Sequence, residues 1–393
     1  MRSDKELTVI LTLWDRVDFT YRWMSYANVS KFPFNILIAD GGKDKEISGH
    51  LSNYNNYPNI KYQYLRYPYD DSYYQYYSKV VDALSQVKTP FVALADNDDF
   101  YFVDGLRKSV EFLLANKEYS SCGGKHVGFS LSSHSETIDN VYGDQVYLNF
   151  QNNNSFESDS ASDRIMAIFR TPGKASKSST RLRTSLYYNI QRTYSLKQIF
   201  SLIKTHDFND LFLLELFLNC LTVSSGKVRC DPTYLYIMRQ RKTSKSSARL
   251  HRQQYGNYFD RMLLDTWSDD FKNFVNITAD FVTHCDDISL DNALREVRNG
   301  YKIFAEPRII ECFPNSLKNN EVAFRNKFQT LGKYLGLKNQ FLGSVLTKLF
   351  HKLTSQTKVN HSKKVPTTEF NRSMPFYEDI KPIYDFLSSK IHQ

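Results

Sequence analysis

The stretch "FVALADNDDF", residues 91–100, places three carboxylates, Asp96, Asp98 and Asp99, within four positions, directly after an apolar run. Ionised carboxylates this close repel one another, and burial at the end of a strand makes the repulsion worse. A divalent cation relieves it, because such ions take oxygen ligands and tolerate several acids around them. Mn2+ or Mg2+ also keeps positions open for water and substrate phosphates, so the cluster suggests a metal–diphosphate site. The competing reading is a polar turn leading into the next helix. A second apolar run ends in "ILIADGGKD", with Asp40, Gly41 and Gly42 at residues 40–42. Glycine lets a ligand approach the backbone closely, and an acid there accepts a hydrogen bond from a base or ribose. Taken alone this is an ordinary D-G turn. Two such strand ends together point to a nucleotide cleft, since open α/β sheets bind ligands beyond the carboxyl ends of their strands.

The elements that must carry these groups are legible in the pattern. Residues 7–13, 34–39, 60–66 and 91–95 are short β-rich runs. In "YYQYYSKVVDALSQV" the residues Tyr74, Tyr77, Val80, Val81, Leu84 and Val87 recur at three- and four-residue spacing, which predicts a helix. Thr89-Pro90 ends it. Asp104 is the expected cap of a helix with Leu106, Val110, Leu113 and Leu114 on one face. Strands alternating with helices predict an α/β fold: a mostly parallel central sheet flanked by helices. Residues 151–184, rich in Asn, Ser, Arg and Lys, read as a long mobile loop. "SLYYNIQRTYS" reads as a strand, residues 196–204 as a helix, and residues 211–223 as a buried helix ended by Gly226. Helical patterns dominate 251–393. The expected organisation is 1–125 as a nucleotide-binding half, 126–250 as an acceptor-binding half, and 251–393 as a mainly helical extension.

The chain has 393 residues, 41% of them hydrophobic and 24% charged, which is globular rather than disordered composition. No run approaches the roughly 18–20 apolar residues needed to cross a bilayer. The N-terminal apolar run is too short for a secretory signal, so a cytoplasmic setting is expected. Five scattered cysteines form no C-x-x-C pair, so they signal neither a zinc site nor a disulfide framework. The formal charge of +9 suits an anionic partner or a merely basic soluble protein.

In order along the chain, "LTVILTLWDR", "ILIADGGKD", "FVALADNDDF" and "GLRKSVEFLLANKEYSSCGG" resemble the family 2-type glycosyltransferases of the GT-A fold. The resemblance covers residues 6–125 well and 126–245 loosely. It implies a nucleotide-sugar donor, a divalent metal (Mn2+ or Mg2+) and usually inversion at the anomeric carbon. Asp40 matches the second acid of the family's D-D-G motif, which recognises the nucleoside, with Gly41 beside it; Ala39 replaces the first acid. Asp96 and Asp98 match the two acids of D-x-D, near the ribose and on the metal, and Asp99 is a frequent third. Thr12 to Arg16 match the loop bordering the nucleoside.

Inverting transfer needs a general base. Glu215 is the one carboxylate within an apolar helix, where burial raises a pKa. Counted back from Gly226, it falls where the second acid of the family's E-D pair sits. Asp210, an N-cap candidate, and Asp207 remain as alternatives. Arg239, Arg241, Lys242 and Lys245 are candidates to close over the diphosphate, and a solvated basic loop is the competing reading. His251 is a weaker metal-ligand candidate. The tyrosine-rich stretches read as packing residues more readily than as sugar platforms.

Residues 326–353 mix apolar and lysine positions, compatible with core packing or with peripheral contact at the inner membrane face, near a lipid-linked or other glycan acceptor. The expected function is sugar transfer from a nucleoside diphosphate to a hydroxyl in surface-polysaccharide or other glycan synthesis. The alternatives are a sugar-nucleotide-forming nucleotidyltransferase, against which the first loop lacks glycine, and a basic nucleic-acid- or glycan-binding protein, against which the acids stand where phosphate must approach. No nucleic-acid partner is expected.

Overall fold

A computed structural model of the chain describes residues 3–132, 140–143, 145–170, 186–241, 247–312, 326 and 368–389. Its first part is a parallel sheet of β1 (Leu7–Leu13), β2 (Asn35–Asp40), β3 (Tyr62–Arg66) and β4 (Phe91–Asp96), in the spatial order β3-β2-β1-β4. The crossovers carry α1 (Val17–Val29), α2 (Glu46–Ser52) and α3 (Tyr73–Gln86). Every residue of β1 is buried, as a near-continuous apolar strand covered on both faces should be. Its register places Thr12 against Ala39 of β2 and against Asp96 of β4, and Leu13 against Asp40. The two acidic strand ends therefore flank one strand end, two strand spacings or about 10 Å apart.

The chain then makes β5 (Asp99–Tyr101), α4 (Val103–Ala115), β6 (Tyr119–Ser132), β7 (Gln145–Gln151), α5 (Ala161–Arg170), β8 (Ile190–Arg192), α6 (Thr193–His206), α7 (Leu211–Ser224) and β9 (Lys227–Gln240). β8 joins the halves, antiparallel to both β4 and β6. β6 is parallel to β9, while β7 and β5 add antiparallel to β6 and β9 respectively. The α/β class is as expected, parallel through the first four strands and mixed beyond β8. The helical region follows as α8 (Ser247–Tyr255), α9 (Tyr258–Arg261), α10 (Trp267–Asp286) and α11 (Leu290–Glu311). β10 (Thr368–Glu369) then pairs with β7, and α12 (Tyr377–Ser389) follows it.

Three expectations change. The loop expected over 151–184 contains α5, because Ala161, Ile165, Ile168 and Phe169 form a helical stripe that is buried against the neighbouring helices. The expected strand at 185–195 shrinks to β8, preceded by a 3-10 turn, Leu186–Tyr188. Asp104 does not cap α4. Phe102 is the N-cap, and Asp104 sits in the first turn, paired with Lys108 at 3.3 Å. There it still opposes the positive end of the helix dipole. By contrast, Asp210 does cap α7, accepting from the Leu213 N–H at 2.8 Å.

Helices cover both faces. One core joins the sheet to α3, α6, α7 and the C-terminal helices; a second lies under α1 and α4; a third packs β6, β7 and β9 against α12. Among the described residues, no helix is long and apolar enough to cross a membrane. Residues 327–353 and Lys242 and Lys245 lie outside the described residues.

Candidate active site

The end of β4 and the turn into β5 gather the three acids. One oxygen from each of Asp96, Asp98 and Asp99 lies within 4.8 Å of the others. The Thr12 hydroxyl from β1 lies 3.3 Å from the Ala95 carbonyl and 3.4 Å from Asp96 Oδ1. The Tyr188 hydroxyl donates to Asp96 Oδ2 at 2.6 Å and accepts from Arg239 at 2.8 Å. Arg239 also bonds Asp99 Oδ2 at 3.1 Å, while the Gln240 N–H donates to Asp99 Oδ1 at 3.0 Å. Arg16 reaches Asp98 Oδ2 at 3.0 Å. Asp15 and Arg16 both have positive φ, 55° and 58°, a conformation rare outside glycine, which marks this loop as held in place by its surroundings.

The electrostatics follow from crowding. Burial, and then the neighbouring Asp98 charge, raise the pKa of Asp96 above the usual carboxylate range; the same two causes raise Asp99 further. Burial works against Arg239, yet Tyr188, Asp99 and Asp96 hold its pKa above the usual arginine value. Two arginines therefore stand beside three carboxylates, and two of those acids remain hard to ionise. All the candidate ligand atoms are hard oxygens, a set suited to Mg2+ or Mn2+.

The second strand end is arranged differently from its sequence reading. Asp40 is buried, and its carboxylate accepts from the Gly42 N–H at 2.8 Å, the Tyr64 hydroxyl at 2.7 Å and Arg66 at 2.5 Å. Arg66 also bonds the Gly42 carbonyl and has a third of its side chain exposed. Asp40 thus presents Arg66 toward solvent. Behind them Lys79 of α3 pairs with Asp70 and donates to the Leu13 carbonyl at 2.9 Å, while the Gly41 N–H reaches the same carbonyl at 3.1 Å. A Cβ on Gly41 would collide with the Asp70 carboxylate, so only glycine fits there.

Glu215 is half-buried on α7 and interacts electrostatically with Tyr73 and Tyr77 of α3. One turn on, Asn219 accepts the Leu186 N–H at 2.9 Å and so pins the turn that carries Tyr188. The alternatives are committed elsewhere. Asp210 bonds Arg261 at 2.7 Å and His251 at 3.2 Å; burial opposes its ionisation, but His251 and Arg261 outweigh it and lower the pKa, which makes it a weak base. Asp207 is exposed in a left-handed turn that ends α6. His251 is removed as a metal-ligand candidate, because its two ring nitrogens face Asp210 and the Tyr73 hydroxyl, the latter at 2.9 Å. Arg241 follows β9, with its N–H on the Phe129 carbonyl at 2.7 Å and its side chain against Gly128.

Sequence reasoning missed Tyr188, Arg66 and Arg22. Tyr188 was visible only as one of many tyrosines. Arg22, fully buried on α1, donates to the Asp98 carbonyl at 2.9 Å, the Val141 carbonyl at 2.8 Å and Gln240 Oε1 at 2.7 Å. Nothing local in its sequence marks it.

No family model matches the sequence, and no curated protein matches it. Among solved structures the chain is similar to S. aureus TarS 1–349 in complex with UDP-GlcNAc, with 12% identity, 94% of this chain and 98% of that chain covered, and a TM-score of 0.47. The same protein in complex with UDP gives 13% identity, 95% and 99% coverage and a TM-score of 0.47. The mannosyltransferase PcManGT from Pyrobaculum calidifontis, in complex with GDP-Man and Mn2+, gives 10% identity, 90% and 88% coverage and a TM-score of 0.39. At such identities and scores, none of these likenesses assigns a substrate, a metal or a catalytic residue to this chain.

Proposed function

We propose that the chain is a glycosyltransferase that moves a sugar from a nucleoside-diphosphate sugar to an acceptor hydroxyl, with inversion at the anomeric carbon. The observation that carries this reading is the cluster of Asp96, Asp98 and Asp99, crowded beside Thr12 at the carboxyl end of a parallel sheet. Such strand ends hold nucleotides, and a charge excess of this kind suits a diphosphate bound through a cation. The sequence resemblance supports the same donor class.

A divalent ion would be held by Asp96 and Asp98 with Asp99 beside them, and when bound it neutralises charge on the leaving diphosphate. The protein's own groups do the rest. Arg239, fixed by Asp99 and Tyr188, places a permanent positive charge beside the carboxylates. Arg66, braced by Asp40, offers donors at the nucleoside end. Glu215 accepts the proton of the acceptor hydroxyl as that oxygen bonds the anomeric carbon; the bond from that carbon to the phosphate oxygen breaks, and its electron pair leaves with the diphosphate. A glycan, free or lipid-linked, is the acceptor class.

A panel of nucleotide sugars, assayed for hydrolysis with and without Mn2+, tests this. Turnover of at least one donor is expected, falling at least about 100-fold with chelator and in Asp98→Ala. Because Asp98→Ala also removes one of three mutually repelling carboxylates, the variant's melting temperature should stay close to wild type. Glu215→Gln should lose kcat while donor binding persists. Unaltered turnover in Asp98→Ala, or metal-independent and salt-sensitive polynucleotide binding in place of turnover, would defeat the assignment.

A further inference from the structure

Apart from the carboxylate cluster, the molecule carries a shallow, open cleft of about 460 Å³. That falls within the roughly 300–1,000 Å³ range of small-molecule sites. None of the acids of the candidate active site lines it. Its polar wall is three consecutive amides, Asn152, Asn153 and Asn154, followed by Ser155. Its apolar lining is Phe156, Ala167 and Pro232, together with Cys230. Among the described residues, no charged side chain lines it. A phosphate or carboxylate ligand would find no countercharge among these residues. An amide, in contrast, both donates and accepts hydrogen bonds, as a sugar hydroxyl does. Apolar groups beside amides suit the C–H face and the hydroxyl rim of a pyranose.

Two further observations favour a built site. The Asn153 Nδ2 is buried and has no hydrogen-bond partner. A buried unpaired amide costs roughly 1–3 kcal/mol, and few native donors are left this way. The terminal torsion of asparagine is broad, so a modest rotation would turn the amide toward a hydroxyl in the cleft. The amide turn is also fixed at both ends. Gln151 pairs with His126 of β6, and Phe156 exchanges two backbone hydrogen bonds with Val228 of β9, at 2.8 and 2.9 Å. Ser155 is bonded to the backbone of Cys230. Ordering this turn on binding would therefore cost little.

The cleft is connected to the carboxylates through one short segment. Asn189 donates to Cys230 Sγ at 3.5 Å, and the preceding Tyr188 donates to Asp96. From the strand of Asp96 to the strand of Cys230 the order is β4, β8, β6, β9, a lateral step of three strand spacings or about 14 Å, and Phe156 lies beyond β9. A ligand in the cleft is too far to be the reacting hydroxyl and near enough to belong to the same glycan chain.

We propose that this cleft is a saccharide subsite, holding a neutral sugar unit of the acceptor remote from the hydroxyl that reacts. The assignment rests on the glycosyltransferase reading for the word acceptor, though not for saccharide binding itself. The test uses full-length protein on an array of neutral oligosaccharides ending in glucose, galactose, mannose and N-acetylhexosamine, with two variants. Asn153→Leu removes the amide. Ala167→Trp fills the cleft from an exposed helical position, so its fold should survive, and melting temperatures check both.

Wild type should retain at least one neutral glycan, and both variants should weaken that binding at least tenfold at unchanged melting temperature. Retention of no neutral glycan by wild type, or equal binding by wild type and Ala167→Trp, would overturn the subsite. Donor hydrolysis by wild type is read in parallel. Glycan binding without any hydrolysis would leave the subsite standing and remove the transferase reading, whereas hydrolysis without glycan binding would do the reverse.

Discussion

Arg22 is the residue on which the acid cluster most depends without belonging to it. Its guanidinium lies between the rings of Phe19 and Phe100, at 4.7 and 4.9 Å, and ties three separate segments through Asp98, Val141 and Gln240. Burial pushes its pKa down to about 10, so it remains charged near neutrality. It is a positioning residue, acting through the Asp98 backbone. Arg22→Met should cost about 3 kcal/mol in urea unfolding, because three acceptors lose their donor. It should also raise the Mn2+ concentration needed for half-maximal turnover. His126 makes a prediction of a different kind. It is buried, and burial, helped by nearby Arg239, pushes its pKa down to about 3 from 6.5. Below pH 6.5 the unfolded chain binds a proton that the folded chain refuses. Stability present above that pH is therefore lost as pH falls toward 3, by about 1.4 kcal/mol per unit. His126→Phe should flatten that part of the stability–pH curve, measured by urea melts at pH 7 and pH 5; identical slopes would refute it.

At the scale of elements, register makes the site. β1 lies between β2 and β4, so Thr12, Asp40 and Asp96 reach the same edge of the sheet because three apolar runs of similar length pair in step. α3 then braces that edge from behind, with Lys79 and Asp70 closing on Leu13 and Gly41. Gly41→Ala should strain this brace and lower stability by about 2 kcal/mol. Donor affinity should fall with it, since the Asp40–Arg66 pair sits on the same turn, and calorimetric titration with nucleoside diphosphates would show it. α7 joins the two halves: Asp210 starts it, Glu215 faces the tyrosines of α3, and Asn219 holds the turn before β8.

At the scale of the whole molecule, the last described segment returns to the first half's problem. α12 buries Ile380, Ile383 and Leu387 against Phe100, Phe129 and Met238. Phe100 follows Asp99 directly, so α12 backs the strand that presents the acids. Ile383→Ala should cost about 3 kcal/mol of stability through the cavity it leaves. Donor kcat measured well below the melting temperature should be unchanged. A large fall in kcat would mean that α12 tunes the site rather than merely supporting it.

The chain's local pattern determined the alternating β/α order of the first half, the buried α7 and the placement of Asp96, Asp98 and Asp99 at a strand end. Each rests on spacing over a few residues, where the apolar period and the abrupt change to acids are visible in the string itself. The pattern misread residues 161–170 as loop, because the polar stretches on either side hid a short amphipathic helix. It also could not show that Asp40 is satisfied by Tyr64 and Arg66, that His251 is sequestered by Asp210 and Tyr73, or that Tyr188 and Arg22 come to the acids from 92 and 76 residues away. Those facts depend on which side chains meet across the sheet. Tertiary packing alone decides that, since hydrogen-bond partners distant in sequence leave no periodic trace near either residue.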